Sequence, residues 1–324
     1  MFDQPTIGLV ADTLTKRHAL KLHDTDHAPD KHAASTPDLT RYREVDLSLD
    51  RDMQALWCFL KPAGPPSFTS SLLRELNLVH RQIHQMYEER VAGDPDPVKF
   101  YVVGSALPGI FNLGGDLAFF LKCIRNNDAI SLRNYAYACV EAMYNNAFGF
   151  SVPVVSVGIL EGDALGGGLE AALSFNILIA ERGVKMGFPE VLFNSFPGMG
   201  AYSFLSRKLD HKRAEKIILS GQIYTAEEFY EMGIVDILVE PGQGRDTAHQ
   251  FVVDNMKRQS LLYSATRVRQ CVNPLTLTEL RNITDIWVDT SMALQPSELR
   301  KMEVLIHAQS RKINRKSFVL PDAI

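Results

Sequence analysis

The chain has 324 residues, 46% of them hydrophobic and 22% charged, enough to bury a large core over one or two domains. Its formal net charge of -4 offers no broad cationic field for phosphate backbones, which excludes nucleic acid as a main partner. The N-terminus lacks a basic region followed by a continuous apolar core, and no run approaches the roughly 18 apolar residues of a bilayer span, so a cytoplasmic protein without membrane insertion is expected.

Residues 1–40 are polar and turn-rich without sustained periodicity, and read as a flexible N-terminal tail. Its histidines, His18, His23, His27 and His32, match neither a helical pair on an apolar face nor a zinc-finger spacing, so no metal is expected there. From Val45 strand-like and helical segments alternate. Leu72, Leu73, Leu76, Val79, Ile83 and Met86 follow the helical period until GDPDP, Gly93 to Pro97, stops it. KFYVVGS reads as a short buried strand, and Asp116 stands as N-cap to a helix whose Leu117, Phe120, Leu121 and Ile124 share one face. A long helix through SLRNYAYACVEAMYNNAF precedes VPVVSVG, which is β-branched, too short for a helix, and therefore a buried strand. Downstream, FNILIAE and IVDILVE read as strands, DHKRAEKIILSG and TAEEFYEMG as helices. From Gly244 the pattern is helical, interrupted at Pro274 and Pro296. The expected fold class is α/β, with a layered core over 41–243 and a helical region over 244–324 that docks on the core or on a neighbouring subunit. Cys58, Cys123, Cys139 and Cys271 stand far apart without CxxC spacing, each beside apolar residues, which predicts reduced, buried thiols.

The stretch GDALGGGLEAAL, from Gly162 to Leu173, puts consecutive glycines between a strand and a helix. No Lys-Ser or Lys-Thr follows and the spacing is not GxGxxG, so nucleotide hydrolysis and dinucleotide binding fit poorly. Glycines here also serve close backbone packing alone. A helix that starts near Gly167 leaves its first N–H groups without intrahelical partners, and residues without side chains let a ligand oxygen reach them. FNLGGDL, Phe111 to Leu117, repeats the arrangement, and one amide from each loop makes a two-donor oxyanion hole. Glu170 falls in the first turn after Gly167, and Glu190 follows twenty residues later in a Pro-Glu turn. Two carboxylates supply an acid and a base when their environments separate their pKa values. Glu141 and Glu161 share that spacing, but one lies inside a helix away from any glycine loop and the other precedes the turn. A surface glutamate is ordinarily only solvated. The glycine loops single out Glu170 and Glu190.

FNLGGDL, GDALGGGLEAAL and FPEVLFNSFPGMGAYSFL, in that order within roughly 45–242, resemble the crotonase (enoyl-CoA hydratase/isomerase) superfamily. The resemblance implies a spiral of β-β-α units with C-terminal helices that build homotrimers or dimers of trimers and close an acyl pocket. It puts the oxyanion amides on Gly115 and Gly167, the two catalytic carboxylates on Glu170 and Glu190, and substrate contacts on Leu113, Gly114 and Gly166, with no cofactor. NLGGDLAFFLKCIR, EGDALGGGLEAAL, KMGFPEVLFNSFPGMGAYSFLSR and TDIWVDTSMAL further resemble the diffusible-signal-factor synthases of bacterial quorum sensing. These imply dehydration of a 3-hydroxyacyl thioester on acyl carrier protein to a cis-2-enoyl thioester, then hydrolysis to the free acid. The long N-terminus departs from shorter crotonases.

For the acyl chain, Met199, Trp287, Leu299, Met302, Leu305 and Ile306 offer apolar side chains, although apolar helical stripes ordinarily only pack. Arg300, Lys301, Arg311, Lys312, Arg315 and Lys316 concentrate positive charge that suits either acidic carrier protein or CoA phosphates, or a solvated helix end. A general enoyl-CoA hydratase or isomerase and a non-catalytic crotonase-like binding protein are the alternatives.

Overall fold

The computed structural model describes residues 41–316, with side chains to residue 307 and that of Gln309. The N-terminal tail with its histidines, and the side chains of Arg311, Lys312, Arg315 and Lys316, lie outside the described residues.

The chain opens with a hairpin of β1 (Val45–Asp50) and β2 (Ala55–Leu60), then α1 (Ser70–Glu88), β3 (Phe100–Ser105), β4 (Ile110–Asn112), α2 (Leu117–Arg125) and α3 (Ala129–Phe148). It continues through β5 (Val155–Leu160), β6 (Asp163–Leu165), α4 (Gly167–Leu173), β7 (Ile177–Glu181) and β8 (Lys185–Gly187), and then a 3-10 turn over Pro189–Phe193. Next come α5 (Ala201–Lys208), α6 (His211–Ser220), β9 (Ile223–Thr225), α7 (Ala226–Glu231) and β10 (Ile237–Val239). Four helices close it: α8 (Gly244–Asn255), α9 (Gln259–Val272), α10 (Leu277–Met292) and α11 (Pro296–Lys316).

Two sheets alternate along the chain. A six-stranded sheet runs β1-β2-β3-β5-β7-β10, and a four-stranded sheet runs β4-β6-β8-β9. A strand of the first is followed by a short strand of the second and then by a helical turn, as in β3-β4-α2 and β5-β6-α4, which is the expected β-β-α spiral. Apart from the antiparallel β1–β2 hairpin, the larger sheet is parallel. β3 and β5 are buried at every position, so their sequences read as unbroken apolar runs rather than alternations.

Side chains alternate between the two faces of that sheet. Tyr101 and Val103 of β3 join the main core with Leu72, Leu76 and Ile83 of α1 and Leu132 and Val140 of α3. Phe100 and Val102 face the other way, into a smaller core that α8 closes with Ala248 and Val252. Helix starts are fixed by side-chain caps: Thr69 accepts from Leu72 N–H, Asp116 from Phe119 N–H and Asp128 from Ser131 N–H, each using a donor the helix leaves free. The C-terminal helices dock on the core. α10 lies on α3, where Asp285 takes the Arg133 Nε at 2.8 Å and the Tyr137 hydroxyl at 2.9 Å. Among the described residues no helix is long and apolar enough to cross a membrane. One cysteine departs from expectation: Cys58, Cys123 and Cys139 are buried but Cys271 is exposed, because α9 turns much of its surface, Leu261, Val268 and Val272 included, away from the core.

Candidate active site

The two glycine loops meet backbone to backbone. A Cβ on Gly167 would stand 3.3 Å from the Gly115 nitrogen, and one on Gly114 would stand 3.2 Å from the Gly167 nitrogen. Such an approach needs residues without side chains on both loops. Gly167 opens α4 and Gly115 precedes the α2 cap, so both nitrogens lie where the chain turns into a helix. Among the described residues neither N–H has an acceptor, which leaves two donors free for a ligand oxygen.

Glu170, on the first turn of α4, is 2% exposed. Its Oε1 accepts from Met199 N–H at 2.7 Å and Ala201 N–H at 3.0 Å. Both donors belong to the start of α5, whose dipole favours a negative charge there. Glu190 sits in the 3-10 turn, entered through Pro189, and its buried Oε2 has no hydrogen-bond partner among the described residues. Its Oε1 occupies the place that a Cβ on Gly166 would take, and Gly166 has φ +53, so glycine is required there twice over.

The two carboxyls are therefore unlike. Burial raises Glu170 to about 7 against the pull of its two backbone donors. Glu190 is pushed further, to about 8, by burial and then by the charge of Glu170. They titrate as a coupled pair that holds one proton near neutrality, and that proton rests on Glu190, whose carboxyl has the poorer hydrogen bonding.

Gly115, Gly167, Glu170 and Glu190 line one cavity, together with Leu117, Phe120 and Ile124 of α2, Phe193, the Phe196–Met199 stretch, Trp287 and Ser291 of α10, and Met302 of α11. Of the sequence candidates, Met199, Trp287 and Met302 reach this cavity and Leu113, Gly114, Gly166 and Leu305 are not among its walls. Leu113 is buried behind the loop, and Gly114 and Gly166 contribute by close packing. Leu305 packs against the main core about one turn beyond Met302, as do Leu299 and Ile306. Arg300 and Lys301 are exposed. Glu161 is engaged by Arg245 at 2.9 Å and Glu141 is exposed on α3, so neither joins the site. The backbone donors of Met199 and Ala201 escape sequence reading, since a main-chain N–H carries no residue signature.

A family model described as Enoyl-CoA hydratase/isomerase matches residues 83–301. A probable mitochondrial enoyl-CoA hydratase 2 of Arabidopsis thaliana is 28% identical over 204 residues, covering 63% of this chain and 59% of that protein, so the match spans about three fifths of the relative's length. Human mitochondrial delta3-delta2-enoyl-CoA isomerase has a similar structure, with a TM-score of 0.67 at 17% identity over 83% of this chain and 99% of that one. Pseudomonas aeruginosa DspI gives 0.60 at 22% identity over 89% and 97%. At these identities the structural likeness shows the fold.

Proposed function

The chain belongs to the enoyl-CoA hydratase/isomerase family of the crotonase superfamily, and from that premise we propose that it dehydrates a 3-hydroxyacyl thioester on acyl carrier protein to the cis-2-enoyl thioester and then hydrolyses it, releasing an unsaturated fatty acid signal. One observation carries this reading: two free main-chain donors and two unlike carboxyls share one mostly apolar cavity. The thioester oxygen sits between the Gly115 and Gly167 N–H groups, which stabilise the enolate charge. Glu190 lies against Gly166, beside the carbonyl end, and as carboxylate it takes the Cα proton. Dehydration runs from the less populated arrangement of the pair, in which Glu170 holds the shared proton and gives it to the departing hydroxyl, which leaves as water.

That step hands the pair what hydrolysis needs. Glu170 is now ionised and takes a proton from water as its oxygen adds to the thioester carbon, with the oxyanion again between the two N–H groups. Collapse breaks the carbon–sulfur bond, and Glu190 protonates the departing thiolate. Glu170 ends protonated and Glu190 ionised, as at the start, so no serine or cysteine nucleophile is required. Carrier identity, cis geometry and release as free acid rest on the resemblance to the signal synthases, as does assembly into trimers or dimers of trimers.

A second reading is favoured by where the proton rests. In the free protein it lies on Glu190, the state that hydrates a 2-enoyl-CoA, with Glu170 as base for water and Glu190 as acid toward Cα. Matched 3-hydroxyacyl thioesters on CoA and on acyl carrier protein separate the two, with products identified by mass spectrometry and alkene geometry by NMR. Free cis-2-enoic acid is expected from the carrier-bound substrate. A product that stays thioesterified and trans sinks signal synthesis and leaves the hydratase.

A further inference from the structure

The Gly115 N–H is free because every neighbouring group is taken. Leu113 N–H goes to the Pro66 carbonyl at 2.7 Å, Gly114 N–H to Asn112 Oδ1 at 2.8 Å and Asp116 N–H to the Tyr135 hydroxyl at 3.2 Å. The Gly114 carbonyl accepts from Phe68 N–H at 2.8 Å. A trans peptide is planar, with its N–H opposite its carbonyl, so pinning the Gly114 carbonyl on Phe68 turns the Gly115 N–H the other way, toward the cavity. Tyr135 acts on both sides of this peptide. Its hydroxyl accepts from Asp116 N–H, which fixes the next peptide plane, and donates to the Phe68 carbonyl, which fixes the segment that holds Gly114. The ring is held by Phe119 and Phe120, with centroids at 5.4 and 5.1 Å, and the residue is 5% exposed.

We propose that Tyr135, on α3 and outside the cavity lining, is a positioning residue for this half of the oxyanion hole: its hydroxyl sets the direction of the Gly115 N–H. The inference rests on the thioester reading above. Loss of the hydroxyl leaves Asp116 N–H and the Phe68 carbonyl without their shared partner, so the Gly114–Gly115 peptide keeps only its backbone tie to Phe68 and its N–H is less tightly aimed. A misplacement of a fraction of an ångström in a preorganised donor weakens binding of the oxyanion far more than binding of the neutral thioester.

Tyr135→Phe keeps the ring and removes only the oxygen. It is expected to lower kcat about 10- to 100-fold with KM changed by no more than about threefold. An isotope-labelled saturated acyl-CoA, which cannot lose a hydroxyl, reports the same geometry by infrared spectroscopy. Its carbonyl stretch should fall on binding to the native protein and fall by less on binding to Tyr135→Phe. Native turnover, or a native carbonyl shift in a variant that has lost stability alone, overturns the role of Tyr135. Absence of any shift with the native protein, together with full turnover by Glu170→Gln, overturns the thioester reading and this inference with it. Should Tyr135→Phe fail to fold, a ring-fluorinated tyrosine at 135 changes the acidity of the hydroxyl at nearly constant size. The carbonyl stretch must then move, and a fixed frequency overturns the proposal.

Discussion

At the scale of single residues, the site depends on two carboxyls whose burial is unfavourable to folding. Glu190 has an ordinary value near 4.5 and about 8 in the fold, so the folded chain binds its proton more tightly than the unfolded chain. The stability that this proton confers is complete below about 4.5, declines as pH rises and is gone above about 8. Glu190→Gln keeps the shape without the charge. Its Tm should match that of the native protein in acid and exceed it at alkaline pH, by an amount corresponding to on the order of 5 kcal/mol, while kcat falls by roughly 100-fold or more. Activity needs the pair to hold a single proton. It should therefore peak between about 7 and about 8, falling in acid as the base is lost and in alkali as the acid is lost. A calorimetric series across pH and a kcat profile measure both. Equal Tm values for Glu190→Gln and the native protein at every pH would show that the carboxyl is not held in a desolvated place.

Among the elements, the long amphipathic helices were legible because α1, α2 and α3 combine an apolar face with polar caps, and the buried runs of β3, β5 and β7 because parallel strands carry apolar residues on both faces. The second sheet was not. Its strands, such as Ile110–Asn112 and Lys185–Gly187, are three residues long, too short for a period of two to repeat. The pairing of Glu170 with Glu190 and both glycine loops could be read, whereas the donors to Glu170 could not, since they depend on how α5 approaches α4. The same holds for the closure by α11, which comes from long-range pairings. Arg125 of α2 meets Glu303 at 2.5 Å, Asn194 meets Glu298 at 2.7 Å, and Gln309 reaches the Leu113 carbonyl at 2.9 Å. These contacts hold α11 against α2 and the 3-10 turn, with Met302 lining the cavity. The ion pair is partly exposed, worth up to about 1 kcal/mol. Glu303→Ala should thus raise the population of the opened α2 by up to about fivefold, read as faster thiol labelling of Cys123.

For the whole molecule, the thiols report a hierarchy of stability. Cys271 is exposed on α9, Cys123 lies on α2 under the closing helix, and Cys58 and Cys139 lie in the main core on β2 and α3. Burial pushes the Cys58 thiol up to about 12 and raises Cys139 as well, so neither reacts as thiolate while the sheet is intact. A thiol reagent should label one cysteine per native chain at once, Cys123 more slowly through local opening, and Cys58 and Cys139 only with global unfolding. Mass spectrometry of digested samples taken over time gives the order. Denaturant well below the unfolding midpoint should accelerate Cys58 and Cys139 in step, because both probe one cooperative core, and should leave the Cys123 rate less affected, because a local opening exposes little surface. Leu261, Val268 and Val272 recur along α9 with 57%, 60% and 80% exposure, an apolar stripe that a second copy of the chain would cover in an assembly. If assembly uses this stripe, dilution will quicken Cys271 while leaving the three buried thiols in their order. Independence of Cys271 from concentration would place the subunit contacts elsewhere.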